Sequence, residues 1–101
     1  MQTEQSQIVV CRFFEAIQRL KDEKVIRGLQ TYTRRYGINR RNFITCKRQP
    51  ERDMFQVSWL TNLVIDYKVS PLWLLTGDGD FWQPGWNAES VKIVQNMCNE
   101  N

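Results

Sequence analysis

The sequence predicts an all-α fold, and three observations predict it. Every stretch with an apolar period repeats at three- and four-residue spacing, the period of a helix face. Capping residues bracket those stretches, with Asn39, Ser70 and Asn87 before helical runs and Gly37 and Gly77 after them. There is no internal repeat and no low-complexity tract to suggest another architecture. At 101 residues the chain is long enough for one compact domain and too short for two.

Taken in order, the first helix is expected over residues 8–23, where Val10, Phe13, Phe14, Ile17 and Leu20 share one face and Arg12, Glu15, Arg19 and Asp22 the other. Val25 and Ile26 fall in a connector. A short second helix covers 29–36, opened by Gly28 and stopped by Gly37, since a glycine past a helix end readily takes the left-handed conformation. Asn39 is a favoured N-cap, so a third helix begins at Arg40, and it ends before Pro50. Leu60, Leu63, Val64 and Tyr67 align on a fourth helix over 57–67. Ser70 as cap, Pro71 at the first helical position and Gly77 as terminator delimit a fifth helix of one to two turns. Residues 78–86 form a Gly-, Pro- and Trp-rich loop. A last helix follows Asn87, with Val91, Val94, Met97 and Cys98 on one side.

Composition narrows the function classes. Hydrophobic residues make up 42% and charged residues 25%, a globular mixture. No apolar run approaches the ~20 residues that span a bilayer, and the polar start MQTEQSQ lacks the pattern of a signal peptide, which makes the cytoplasm the expected compartment. Three scattered cysteines (Cys11, Cys46, Cys98) suit free thiols better than a disulfide framework or a zinc site. With no histidine and no phosphate-cradling glycine loop, an enzyme is not expected, and neither is a cofactor or a metal; Asp78-Gly79-Asp80 lacks the rest of a calcium loop and reads as a turn.

The net charge of +3 is unevenly spread. Residues 34–53 carry Arg34, Arg35, Arg40, Arg41, Lys47, Arg48 and Arg52 against Glu51 and Asp53, a local charge of about +5. Such a stripe fits a polyanion, or simply a solvated face.

The segment 29–48, LQTYTRRYGINRRNFITCKR, is two short helices joined by a glycine-containing turn, the layout of a DNA-binding helix-turn-helix. Tyr32, Thr33 and Tyr36 lie on one face before the turn, and small Thr33 lets the third helix approach. Phe43 and Cys46, three apart, mark the inner face of the third helix. That leaves Arg40, Arg41, Ile44, Thr45 and Arg48 outward, with the chemistry of a base reader: arginine donates two hydrogen bonds to a guanine edge, threonine bonds a base or phosphate, and isoleucine meets a thymine methyl. The alternative is a solvated helix whose arginines only aid solubility.

From Phe13 to Phe81 the chain resembles the lambda-repressor-like (Xre-type) helix-turn-helix family of bacterial and phage regulators. The resemblance rests on the second-helix, Gly37, Ile38, Asn39, Arg40 pattern and on VSPLWLLTGDG at 69–79, which is similar to the family's final core helix. It implies a five-helix domain over residues 8–81, extended here by a loop and C-terminal helix over 82–101, with the third helix in the major groove. It also implies Arg40, Arg41 and Thr45 as base readers, joined by Ile44, and Gln30, Asn39, Lys47 and Arg48 as phosphate contacts. The expected function is a sequence-specific transcriptional regulator, a repressor, binding double-stranded DNA. The chain departs from the family where Leu29 stands in place of a common glutamine and Thr33 in place of an alanine. Its 48–55 link is longer and more charged than usual.

Other features have two readings. Trp59 and Trp73 are expected in the core. Trp82 and Trp86 either fold back on the domain or meet a partner, and the last helix either docks on its own domain or forms a homodimer. A protein-interaction module, such as an antitoxin-like partner binder, is the competing function; an RNA role lacks the exposed aromatic platform it needs, and a membrane role has no support.

Overall fold

The computed structural model describes residues 3–98. Six helices follow one another: α1 (Glu4–Asp22), α2 (Leu29–Arg35), α3 (Arg40–Arg48), α4 (Val57–Asp66), α5 (Pro71–Thr76) and α6 (Ala88–Cys98). Among the described residues there is no strand, only an isolated antiparallel bridge between Val69 and Trp82. The all-α expectation holds, and no described helix is long and apolar enough to cross a membrane.

Helix α1 begins a turn earlier than its apolar period suggests. Its first turn is polar, and the start is set by Thr3, whose hydroxyl accepts from the Ser6 amide at 3.1 Å. It closes without glycine: Lys24 takes a left-handed φ of 64°, the Val25 amide donates to Leu20 at 2.8 Å and the Lys24 amide to Lys21 at 3.0 Å. Helices α2 and α4 each stop one residue short of expectation, at Arg35 and Asp66, with Tyr36 and Tyr67 as C-caps. Helix α5 is delimited as expected, with Ser70 accepting from the Trp73 amide, Pro71 at the start and Gly77 at φ 80°.

The core is aromatic, and α1 runs through it. Phe13 has no exposure, and the rings of Phe14, Tyr32, Phe43, Phe55 and Trp59 surround it at centroid separations of 5.0 to 6.1 Å, mostly edge to face. Such pairs add about 0.5–1.5 kcal/mol each beyond the burial of their area. Arg12 reaches from α1 to donate to the Leu74 carbonyl at 3.1 Å, satisfying the C-terminal end of α5.

The tryptophans fold back. Trp59 is in the core at 4% exposure, and Trp73 is half-buried against Phe81 at 4.8 Å. Trp82 pairs with Phe81 at 4.9 Å and bridges to Val69, while Trp86 lies under the Lys68 ammonium at 5.2 Å. Backbone bonds from Ser70 to Phe81 and from Gln83 to Lys68 stitch residues 81–83 to the start of α5.

The seat of α6 corrects the expected face. Val91 is buried and Val94 half-buried, but Met97 is 69% exposed, and Gln95 takes the inward position at 4%. The Cys98 side chain lies outside what is described. Gln95 turns inward because its amide donates to the Asp66 carbonyl at 2.6 Å and its oxygen accepts from Arg35, which also pairs with the Asp66 carboxylate at 3.7 Å. The Tyr36 hydroxyl donates to the same carboxylate at 2.6 Å, and the Tyr32 hydroxyl donates to the Trp59 carbonyl at 2.7 Å.

Burial pushes the hydroxyls of Tyr32, Tyr36 and Tyr67 above their ordinary ionisation range, with the Asp66 contact adding to the effect at Tyr36. All three ionise more readily in the unfolded chain. Their contribution is therefore complete below about pH 10 and lost as pH rises toward the folded values, at up to ~1.4 kcal/mol per pH unit for each tyrosine. Urea midpoints measured from about pH 8 to 11 are expected to hold level and then fall steeply. A level profile to the end would mean that the three rings ionise without unfolding.

Candidate nucleic-acid interface

The turn between α2 and α3 is built by local rules. Gly37 sits at φ 63°, its amide directed to Arg34, and the Ile38 amide donates to the Thr33 carbonyl at 2.9 Å. This is a helix stop of the Schellman kind, with Ile38 packing on the core just past the glycine. A Cβ at position 37 meets nothing within 4 Å, so the glycine is required by conformation and not by space. Asn39 then caps α3, its side-chain oxygen accepting from the Asn42 amide at 3.0 Å. Thr33 is buried at 3%, its hydroxyl donating to the Gln30 carbonyl at 3.3 Å, and α2 and α3 pack together.

Phe43 and Cys46 face inward with no exposure. Arg40, Arg41, Lys47 and Arg48 are exposed, whereas Ile44 and Thr45 are half-buried. The outward face of α3 is thus its arginines and lysine, and Ile44 and Thr45 present their edges beside them. Gln30 is exposed on α2. Asn39 is exposed too, but its oxygen is committed to the cap, which leaves its amide nitrogen to meet an acceptor.

Charge placement singles the region out. From Lys24 to Pro50 there is no aspartate or glutamate, while Lys24, Arg27, Arg34, Arg35, Arg40, Arg41, Lys47 and Arg48 all lie there. Among the described residues, Arg35 alone of these eight is paired with a carboxylate. Arg40 and Arg41 occupy the first turn of α3, which has no acidic residue. The partial positive charge at a helix N-terminus favours acids there, and a cation costs about 0.3–1 kcal/mol. Two arginines against the dipole do nothing for the free fold, and such violations of local rules concentrate at functional sites.

Sequence reasoning missed two neighbours of this face. Arg27 borders a shallow hollow on α2 with Gln30, Thr31 and Arg34, of which Arg34 was already counted in the basic stripe; the acid-free run that begins at Lys24 was the available signal for Arg27. Beside the turn, a cleft of about 230 Å³ is lined by Asn39, Asn42, Gln56, Ser58 and Asn62 over Trp59 and Tyr36. The N-termini of α3 and α4 both open at it, and Gln56 makes no side-chain cap bond. Those carboxamides come together only through folding. Among the described residues no cluster of three or more acidic, cysteine or histidine side chains could hold a metal.

Comparison with protein-family models, with characterised proteins and with solved structures finds no match to this chain.

Proposed function

We propose that this protein is a sequence-specific, double-stranded-DNA-binding transcriptional regulator of the lambda-repressor-like helix-turn-helix kind, acting as a repressor in the bacterial cytoplasm. The observation that carries the reading is the pair Arg40 and Arg41: exposed, without carboxylate partners among the described residues, and set against the dipole at the start of α3. An anionic partner removes that conflict. In this reading α3 enters the major groove and the two arginines take guanine edges, with Ile44 and Thr45 touching bases from their exposed edges. Lys47, Arg48, Gln30 and the Asn39 amide take phosphates, and the carboxamide cleft with its two helix N-termini takes another. Ile93 and Met97, exposed on the outer face of α6, are where a second copy would meet it to form a homodimer.

A second reading has an observation of its own. A groove of about 590 Å³ runs between α1, α4 and α5, and its walls include Ile8, Val57 and Leu75, all exposed. An apolar groove of that kind suits a partner protein, as in an antitoxin-like module.

Selection from a random duplex pool at two salt concentrations separates the readings. A regulator is expected to recover a common motif, palindromic if a dimer binds, with affinity falling steeply as salt rises. Weak binding without a motif would overturn the DNA reading and leave the groove as the working surface.

A further inference from the structure

Apart from Gln30, the DNA reading makes no use of the hollow on α2. Its volume is about 440 Å³, and Arg27, Gln30, Thr31, Arg34 and Arg35 line it. Gln30 and Arg34, and Thr31 and Arg35, are neighbours four apart on the helix, while Arg27 lies just ahead of its N-cap, Gly28. Tyr32 and Thr33 take the buried face of α2, which turns the hollow outward. No carboxylate belongs to the lining. A guanidinium group has donors only, and the Thr31 hydroxyl and the Gln30 carboxamide add neutral ones. Arg35 is half-buried and held in place: it donates to Gln95 and to the Tyr67 hydroxyl, and pairs with Asp66 at 3.7 Å. Arg27 and Arg34 are exposed, and among the described residues neither pairs with a carboxylate. Arg34 suits the C-terminal end of α2, where the helix dipole favours a cation; Arg27 stands at the opposite end, where the dipole disfavours one.

We propose that this hollow is a phosphate-binding site, with Arg27, Arg34 and Arg35 as its charged donors and Gln30 and Thr31 as its neutral ones. Three like charges lining one concavity repel one another in the free protein, and an anion with several acceptor oxygens reverses the sign of that arrangement. A tetrahedral phosphoryl group suits it, because its oxygens point in different directions and take forked bonds from guanidinium groups that arrive from different sides. Arg35 is the fixed member, and Arg27 and Arg34 close on the ligand from the exposed rim. The phosphoryl group belongs to a free phosphate compound or to the backbone of a duplex, and the recognising chemistry is the same. No side chain of α3 takes part. The site therefore stands by itself when the ligand is free, and rests on the DNA reading when the ligand is a duplex.

The test uses the full chain and has two arms. In the first, the arginine side-chain N–H resonances are followed by NMR during titration with inorganic pyrophosphate, and in parallel with sodium chloride at matched ionic strength. Saturable shifts of Arg27, Arg34 and Arg35 that chloride does not reproduce, and that the double change Arg27→Gln with Arg34→Gln weakens about tenfold or more, assign the site to a free phosphate compound. Both positions are exposed, so the double variant is expected to melt with the parent; Arg35 is left intact because it holds α6. In the second arm, variant and parent are compared on duplexes of several sequences over a range of salt. A loss of about tenfold or more, alike for every sequence, with the log–log salt slope reduced by about one to two, assigns the site to the DNA backbone. Pyrophosphate shifts that match chloride or survive the double change, together with unchanged duplex affinity and slope, would overturn the proposal. The variant keeps Arg40 and Arg41, so failure of the DNA reading shows separately, as the absence of a recovered motif.

Discussion

Replacing Arg40 and Arg41 together with alanine is expected to weaken binding to a selected duplex on the order of 30-fold or more, and to relax preference at the base pairs that they contact. Each arginine–guanine contact contributes about 1–3 kcal/mol, and adjacent residues need not add. The same double change is expected to leave the free protein as stable or slightly more so, because it removes two cations from the N-terminal end of α3, at about 0.3–1 kcal/mol each. The opposed signs make the test sharp, since damage to the fold would lower both quantities. Fluorescence anisotropy on the selected duplex and urea unfolding of the same samples read the two. Unchanged affinity and preference would show that α3 does not read DNA.

Phe43→Ala is expected to cost about 3–5 kcal/mol, a large part of the stability of a domain this size. Phe43 has no exposure and touches the rings of Phe13, Phe14, Tyr32 and Trp59, so truncation opens a void where α1, α2, α3 and α4 meet. Rigid rings cannot collapse into such a space as aliphatic side chains would. Phe43→Leu keeps most of the volume and is expected to cost less than half as much. Thermal melts of the two variants against the parent give the comparison, and equal melting of all three would mean that α3 is not held by this cluster.

Legibility in the sequence follows from how local each cause is. The α5 segment could be read to the residue, because Ser70, Pro71 and Gly77 act within one or two turns of themselves. Gly37 and Asn39 announced the turn, and Phe43 and Cys46 the inner face of α3, for the same reason. The polar first turn of α1 hid its start, since a cap at Thr3 leaves no apolar period to follow. Lys24 and Lys68 adopt left-handed backbone where lysine has no preference for it, so the apolar spacing located the ends of α1 and α4 to within a residue but not the conformation that closes them. Gln95 faces inward for partners 29 and 60 residues away, which no window over α6 could contain. The candidate site divides the same way: the arginines of α3 were read from spacing, whereas the carboxamide cleft needs Asn39 and Asn62 brought together from different helices.

The acid-free run from Lys24 to Pro50 also bears on the protein when no partner is present. Like charges crowded on two short helices repel one another, and nothing in that stretch of chain offsets the repulsion. Added salt screens it, with a Debye length of about 10 Å at 0.1 M. Moderate ionic strength is therefore expected to firm up the free domain while it loosens any complex with a polyanion. The protein is at its least comfortable alone in dilute buffer, where its appetite for a polyanion is greatest.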